Sequence, residues 1–441
     1  MKEKHIDENN IENNENKNEE NINNYELAEI ELDKNNKECI FSNEVKRAYA
    51  YRKNGYNLKD SSLAFLIGGF CSPLIAVLAI SILFAIVSAF SGMEYATLIK
   101  TRPYDIIAML CAEIGFAVYF LIIQFKRPSN IWKPIMSTNA KNYEQNQKRK
   151  FSDCVGISFK KFDFLTCAVV VLLGIVMSLL CAQFIDVVNY GLHSIGYTKD
   201  SSLPFQIDSV GEMILGLLTM ALIPAICEEF LFRGVVLGGL LNVAKNKKAK
   251  ILSVVLSALM FALIHQSALQ LVYPFIMGCV FGLVYMYTGN LIYSIILHFV
   301  SNGVVVVANY INSVNGVTST AITYNASFIL GAVALLVLAL ALALGGVVLI
   351  KLISKNKSQF LQNENELNDY ENYVKSQEVA NVEDEEDTKK QIEINDKIES
   401  EINSKSTLIG KIILYCGFAF GVIIIIADLI TTIAGKWLIW Q

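Results

Sequence analysis

Long apolar runs alternate with short polar connections along most of this chain. A helix needs about 20 apolar residues to cross the ~30 Å hydrocarbon layer of a bilayer. The pattern therefore predicts eight or nine transmembrane helices, depending on whether Pro274 interrupts one helix or separates two short ones; we count two. The nine predicted spans are 62–92, 104–125, 164–187, 213–241, 251–273, 274–288, 291–310, 327–350 and 408–433.

Composition supports a membrane protein. Hydrophobic residues make up 53% of the 441 residues, and the mean hydropathy is +0.42. The nine cysteines are scattered singly without C-x-x-C spacing, which indicates small core residues and not disulfides or metal clusters. We expect an all-α integral membrane protein, a polytopic helical bundle whose partner is the lipid bilayer and not nucleic acid.

The polar stretches divide the chain into regions. The opening residues repeat Asn and Glu with almost no apolar side chain, which is typical of disorder. The predicted regions are a disordered cytoplasmic tail (1–60), two transmembrane helices with a basic loop (61–163), a core (164–310), an outer loop with one further helix (311–353), an acidic cytoplasmic linker (354–406) and a C-terminal transmembrane helix (407–441).

Lysine and arginine indicate the orientation. Short basic loops stay in the cytoplasm. The segments before the first span, between spans two and three, and at 245–250 are all basic, whereas the loop at 311–326 has no Lys or Arg. We therefore predict a multi-pass protein of the cell membrane with a cytoplasmic N-terminus.

The stretch "AICEEFLFRG", residues 225–234, places Glu228, Glu229 and Arg233 inside an apolar span. Three unpaired charges there would cost on the order of 10 kcal/mol. Glu229 and Arg233 stand four residues apart in the order that favours an ion pair on one helical face. Glu228 lies about 100° around the helix and needs another partner.

Two of the four histidines lie in apolar spans, His265 and His298. Counted from the nearest lysines, Glu228 and His265 lie 17 and 15 residues into their helices, about 25 and 22 Å. His298 is only about 12 Å along its helix, so it matches this depth less well. We therefore predict that His265 is the partner of Glu228, while His298 and Asn302 share one face of their own helix.

Three other acids, Glu113, Asp186 and Asp428, lie singly within predicted spans or near their ends. We assign each of them a structural or interfacial role.

A carboxylate, two imidazoles and a carboxamide in a sheltered cavity suit peptide hydrolysis. A buried glutamate can take a proton from water, and a histidine can share that task or bind a metal. Imidazole and amide N–H groups can stabilise the oxyanion that forms when water attacks a carbonyl.

The three motifs "EEFLFR" (228–233), "FALIH" (261–265) and "HFVSN" (298–302) together resemble the CAAX protease and bacteriocin-processing family of intramembrane proteases, which includes the type II CAAX prenyl endopeptidases. The resemblance covers roughly residues 165–310. It implies that Glu228 and His265 activate the hydrolytic water, that His298 and Asn302 stabilise the oxyanion, and that Glu229 and Arg233 shape the site. Its substrate would be a membrane-associated peptide or protein, processed by a CAAX-type or a peptide-maturation and self-immunity protease.

These residues suit both a metal-dependent and a metal-free mechanism. Glu228, His265 and His298 with one water would make a three-ligand zinc site, yet a metal-free glutamate mechanism needs the same residues. No organic cofactor is expected.

Two other functions remain as alternatives. A non-proteolytic membrane scaffold or immunity protein could bind a partner through the same fold, and its function would survive Glu228→Ala. A proton-coupled transporter would also bury Glu and His, but it predicts two matching halves that the sequence does not display.

Overall fold

The computed structural model describes residues 41–126, 151–159, 162–197, 206–268, 270–316, 326–354, 358–380 and 385–439. Eleven principal helices lie in these ranges, and no strand occurs in them. They are α1 Asn43–Asn54, α2 Leu58–Ser91, α3 Arg102–Lys126, α4 Phe164–Ser194, α5 Val210–Val243, α6 Lys247–Leu263, α7 Val272–Thr288, α8 Leu291–Val314, α9 Ala326–Ser354, α10 Glu364–Ala380 and α11 Glu385–Ile439.

The nine predicted spans all correspond to helices, and the protein is an all-α polytopic membrane protein. Seven helices are long and apolar enough to cross a bilayer: α2, α3, α4, α5, α8, α9 and the apolar part of α11. The other two, α6 and α7, have 17 residues each, slightly fewer than a full crossing needs.

The break between α6 and α7 does not lie at Pro274, where we expected it. α6 ends at Leu263, and Pro274 lies in the first turn of α7. Proline is tolerated there because the first N–H groups of a helix have no acceptor within the helix.

The region predicted as a tail is partly folded. Residues 1–40 lie outside the described part of the chain, but α1 follows, and Val45, Ala48 and Tyr51 are buried along one side of it. These apolar residues recur every three positions and form one face. Val45 and Ala48 pack with Leu367 of α10, and Tyr51 packs into the main core. Asn57 then caps α2 through a capping box with Asp60.

The predicted acidic linker also contains structure. Ser358, Gln359 and Phe360 are buried, α10 follows them, and α11 begins within the linker and continues into the last span. Arg52 of α1 and Lys250 of α6 both pair with Glu364 at the start of α10. The basic loop at 127–150 and the outer loop at 317–325 lie outside the described residues.

The centre of the bundle is α5, in which every residue from Leu231 to Leu241 is buried. α8 packs on its first half, α3 on its middle, and α6 against its second half. Two segments of α5, Leu217–Leu222 and Phe230–Leu237, are π-helical. Such local widening of a helix is frequent at functional sites, and here one segment directly follows Glu229.

Candidate active site

Three helices bring the predicted site residues together. α5 carries Glu228, Glu229 and Arg233, the turn that follows α6 carries His265, and α8 carries His298 and Asn302. Glu228, Glu229, Arg233 and His298 are buried, whereas His265 and Asn302 are half-buried.

Glu229 is the hydrogen-bond acceptor at the centre of the site. Its carboxylate accepts from the Arg233 guanidinium at 2.7 Å, from Nδ1 of His298 at 2.9 Å and from the Ser294 hydroxyl at 2.5 Å. The predicted ion pair with Arg233 is therefore present. Because Arg233, His298 and Ser294 already occupy its oxygens, Glu229 is poorly placed to accept a proton from water.

Arg233 ties α5 to α6 and α7. Its guanidinium lies 4.5 Å from the ring centroid of Phe261 and 5.2 Å from that of Phe281, and it donates to the carbonyl of Gly278 at 3.4 Å. Aromatic faces attract a cation, and more strongly away from water. Arg233 therefore stabilises the wall of the site.

The hydrogen bond to Glu229 fixes the tautomer of His298. A carboxylate with two other donors accepts, so Nδ1 of His298 donates, and a neutral ring then has its lone pair on Nε2. That Nε2 lies 3.9 Å from a carboxylate oxygen of Glu228. The site thus presents a carboxylate and an imidazole lone pair side by side.

His265 is not the partner of Glu228 that we predicted. No hydrogen bond or ion pair joins these two side chains in the described part of the chain; Nδ1 of His265 donates to the carbonyl of Phe261 at 2.9 Å. The rings of His265 and His298 instead both meet Phe261 edge-on, with centroids 5.1 and 6.1 Å away. Counting residues along a helix gives the depth of a side chain but not the direction in which it faces. The rotation of α8 about its axis turns His298 towards Glu228.

Asn302, one turn beyond His298, binds α8 to α5. Its amide donates to the backbone carbonyl of Met220 at 3.2 Å. Pro224, four residues after Met220, has no N–H to offer that carbonyl. Asn302 thus donates to a carbonyl that the residue four positions further along cannot bond.

Glu113 of α3 belongs to the same cluster, although the sequence argument gave it a structural role. It lies against Glu228, and the residue is only 7% exposed. Its Oε2 is buried without a hydrogen-bond partner among the described residues. The sequence shows that Glu113 is an acid in the middle of a span, but it does not show which helix faces α3.

The predicted zinc ligands do not converge. Within the described ranges, no group of three or more His, Cys, Asp or Glu side chains is arranged to hold a metal ion. Both imidazoles commit Nδ1 to protein acceptors, so only Nε2 could serve as a ligand. The set as placed does not fit a three-ligand site.

Comparison with known proteins matches the same part of the chain. The family model described as type II CAAX prenyl endopeptidase Rce1-like matches residues 210–304. The "Membrane-embedded CAAX protease MroQ" of Staphylococcus aureus (strain USA300) is 36% identical over 95 residues, which are 21% of this chain and 38% of MroQ. Residues 210–304, the family segment, are thus similar to type II CAAX prenyl endopeptidases and to MroQ.

The family segment contains all six motif residues, from Glu228 to Asn302, but neither Glu113 nor Asp428. The chain matches well under half the length of the curated relative, and no solved structure matches it.

Proposed function

We propose that this chain is an intramembrane endopeptidase, which hydrolyses a peptide bond of a membrane-associated peptide or protein with water activated by Glu228. One observation carries the proposal: the Glu228 carboxylate faces Nε2 of His298, whose other nitrogen is held by Glu229. The proposed location is the cell membrane, with the N-terminus in the cytoplasm.

The geometry favours Glu228 and His298 as the pair that binds the water. These two acceptor atoms lie 3.9 Å apart. A water molecule about 2.8 Å from both of them can donate one hydrogen to each. As the water oxygen bonds to the substrate carbonyl carbon, its proton passes to Glu228. The same proton then moves to the leaving nitrogen, which breaks the C–N bond and leaves an acid and an amine.

The developing oxyanion needs hydrogen-bond donors. Asn302 has two amide hydrogens, of which the Met220 carbonyl takes one, so the other is available to the substrate. With its proton on Nδ1, the neutral ring of His265 presents a lone pair at Nε2, which can accept an N–H of the substrate peptide. His298 thus takes the water-binding role that was first expected for His265.

The test is cleavage by the full-length protein in its host membrane. Cells that express the wild type, Glu228→Gln or His298→Ala would be compared by mass spectrometry of new peptide termini in membrane proteins and in the medium. We expect termini that occur with the wild type and disappear in both variants at equal protein levels. Asp186→Asn, an acid on α4 outside the site, is the control and should cleave normally.

Identical termini from wild type and Glu228→Gln would contradict the proposal and favour the scaffold function. Metal analysis of purified protein addresses zinc separately. One zinc per chain that is lost in His298→Ala would make the histidines ligands, whereas cleavage after chelation with no zinc bound would support the metal-free route.

A further inference from the structure

The last span touches the loop that follows His265. Asp428 of α11 accepts the backbone N–H of Ala268 at 3.0 Å and the hydroxyl of Tyr197 at 2.9 Å. The same Tyr197 hydroxyl lies 3.5 Å from the hydroxyl of Ser267. Asp428 and Tyr197 thus hold two consecutive residues of this loop, only two and three positions beyond His265.

The held loop contains an unusual backbone conformation. Gln266 has φ +53°, and it is the one non-glycine residue with positive φ in the described part of the chain. A residue with a side chain adopts this left-handed conformation at a cost. The surrounding contacts must therefore impose the turn, which directs the chain away from α6 immediately after His265.

The residues that follow α6 have N–H groups that need acceptors outside a regular helix. Inside a membrane protein such groups must find a partner within the protein. The N–H groups of His265 and Gln266 bond back to Ala262 and Leu263 of α6. The N–H of Ala268 finds Asp428, which makes this carboxylate the acceptor that completes the loop.

α11 is docked so that Asp428 faces this loop. Gly410, Gly417, Gly421 and Asp428 follow one another at intervals of seven, four and seven residues, which places them on one helical face. A Cβ atom at Gly410 would lie 2.9 Å from the Lys59 nitrogen, and one at Gly421 would lie 3.1 Å from Leu263. The glycines let α11 approach α2 and α6 closely, and Asp428 continues the same face.

We infer that Asp428 is a positioning residue for the hydrolytic site: it holds the 266–268 loop, and through it His265, in the orientation that the reaction uses. This inference rests on the proposed function. It gives the last span, which lies outside the family segment, a part in the site. Asp428 acts as a hydrogen-bond acceptor, so its charge is not required.

The variants at position 428 separate the loss of the hydrogen-bond acceptor from the loss of the negative charge. Asp428→Ala removes the acceptor, while Asp428→Asn keeps a carbonyl oxygen for the Ala268 N–H. Tyr197→Phe removes only the hydroxyl group, and it is the variant to test if Asp428→Ala does not fold. Thr431→Ala is the matched control, since among the described residues this exposed hydroxyl one turn away bonds only to carbonyls of its own helix.

Two measurements are made on full-length protein in detergent. The first is amide hydrogen exchange by mass spectrometry in peptides that cover 264–271, which needs no substrate. We expect Asp428→Ala to speed exchange there on the order of tenfold, while peptides from the middle of α6 stay unchanged. Asp428→Asn and Thr431→Ala should match the wild type.

The second measurement is kcat and KM for a peptide identified from the termini in the cleavage experiment. We expect Asp428→Ala to lower kcat about tenfold or more with KM little changed, Tyr197→Phe to lower it less, and Asp428→Asn to stay within about threefold. Wild-type kcat in Asp428→Ala, or an equal loss in the Asn and Ala variants, would overturn the inference.

The two hypotheses fail separately. If the wild type cleaves nothing, the proposed function fails, and the exchange data still decide whether Asp428 holds the loop. If the wild type cleaves but exchange at 264–271 is the same in Asp428→Ala, the loop does not depend on Asp428 and the inference is wrong.

Discussion

Nδ1 of His298 donates a hydrogen bond to Glu229, not to Glu228, with 2.9 Å between nitrogen and oxygen. The two adjacent glutamates of the motif are thereby separated in function. Glu229 orients the imidazole and compensates Arg233, while Glu228 faces the other ring nitrogen. We expect substitutions at these neighbouring positions to affect different properties.

Glu229→Gln should destabilise the protein. It removes the charge that compensates the buried Arg233, and breaking a buried pair costs about 3–5 kcal/mol. Thermal unfolding of purified protein in detergent measures the effect. Glu228→Gln is the matched variant on the next residue, and its unfolding midpoint should stay near that of the wild type although cleavage is lost. Equal midpoints for the wild type and Glu229→Gln would contradict the structural role.

Asn302→Ala should lower kcat by about 10²–10³, the cost of removing an oxyanion donor in other enzymes. KM should change little, because the donor acts on the charge that develops in the transition state. The control is Asn309→Ala, because in the part of the chain that the structure describes its exposed amide bonds only to Val305 of its own helix. Loss of stability without loss of kcat would mean that Asn302 only tethers α8 to the Met220 carbonyl.

Glu113→Gln should leave the fold intact and stabilise it by up to about 1 kcal/mol. Two carboxyl groups in contact away from water cannot both be ionised at low cost, and the amide removes that conflict while keeping the shape. The unfolding midpoint measures this, with the exposed Glu94→Gln as control. A large drop in the midpoint would show that the carboxyl group itself stabilises the bundle.

Gly115→Ala should destabilise the contact of α2 with α3, on which Glu113 lies. The new Cβ would lie 2.8 Å from the backbone of Ser72 and Pro73, which cannot move aside as a side chain can. We expect a cost of about 1–3 kcal/mol. Gly331→Ala in α9 is the control, because nothing lies within 4 Å of its Cβ position. Alanine is the better helix former, so this control should be neutral or stabilising by up to about 1 kcal/mol.

The helices could be predicted from the sequence because a bilayer requires long apolar runs with internally bonded backbones. Their ends were harder to predict. Pro274 looked like a boundary and is a first-turn residue, while the real break after Leu263 has no proline or glycine to mark it. α1 was assigned to a disordered tail, because its three buried apolar residues are outnumbered by the polar residues that precede them.

The sequence by itself determined the contacts that are local. Glu229 and Arg233 meet because four residues bring side chains onto one face of any helix, and His298 and Asn302 share a face for the same reason. Only the tertiary structure decided which histidine faces Glu228, that Glu113 joins it, and that Asp428 holds the loop after His265. These contacts depend on how each helix is rotated and how closely it packs, and those quantities are set by the whole bundle.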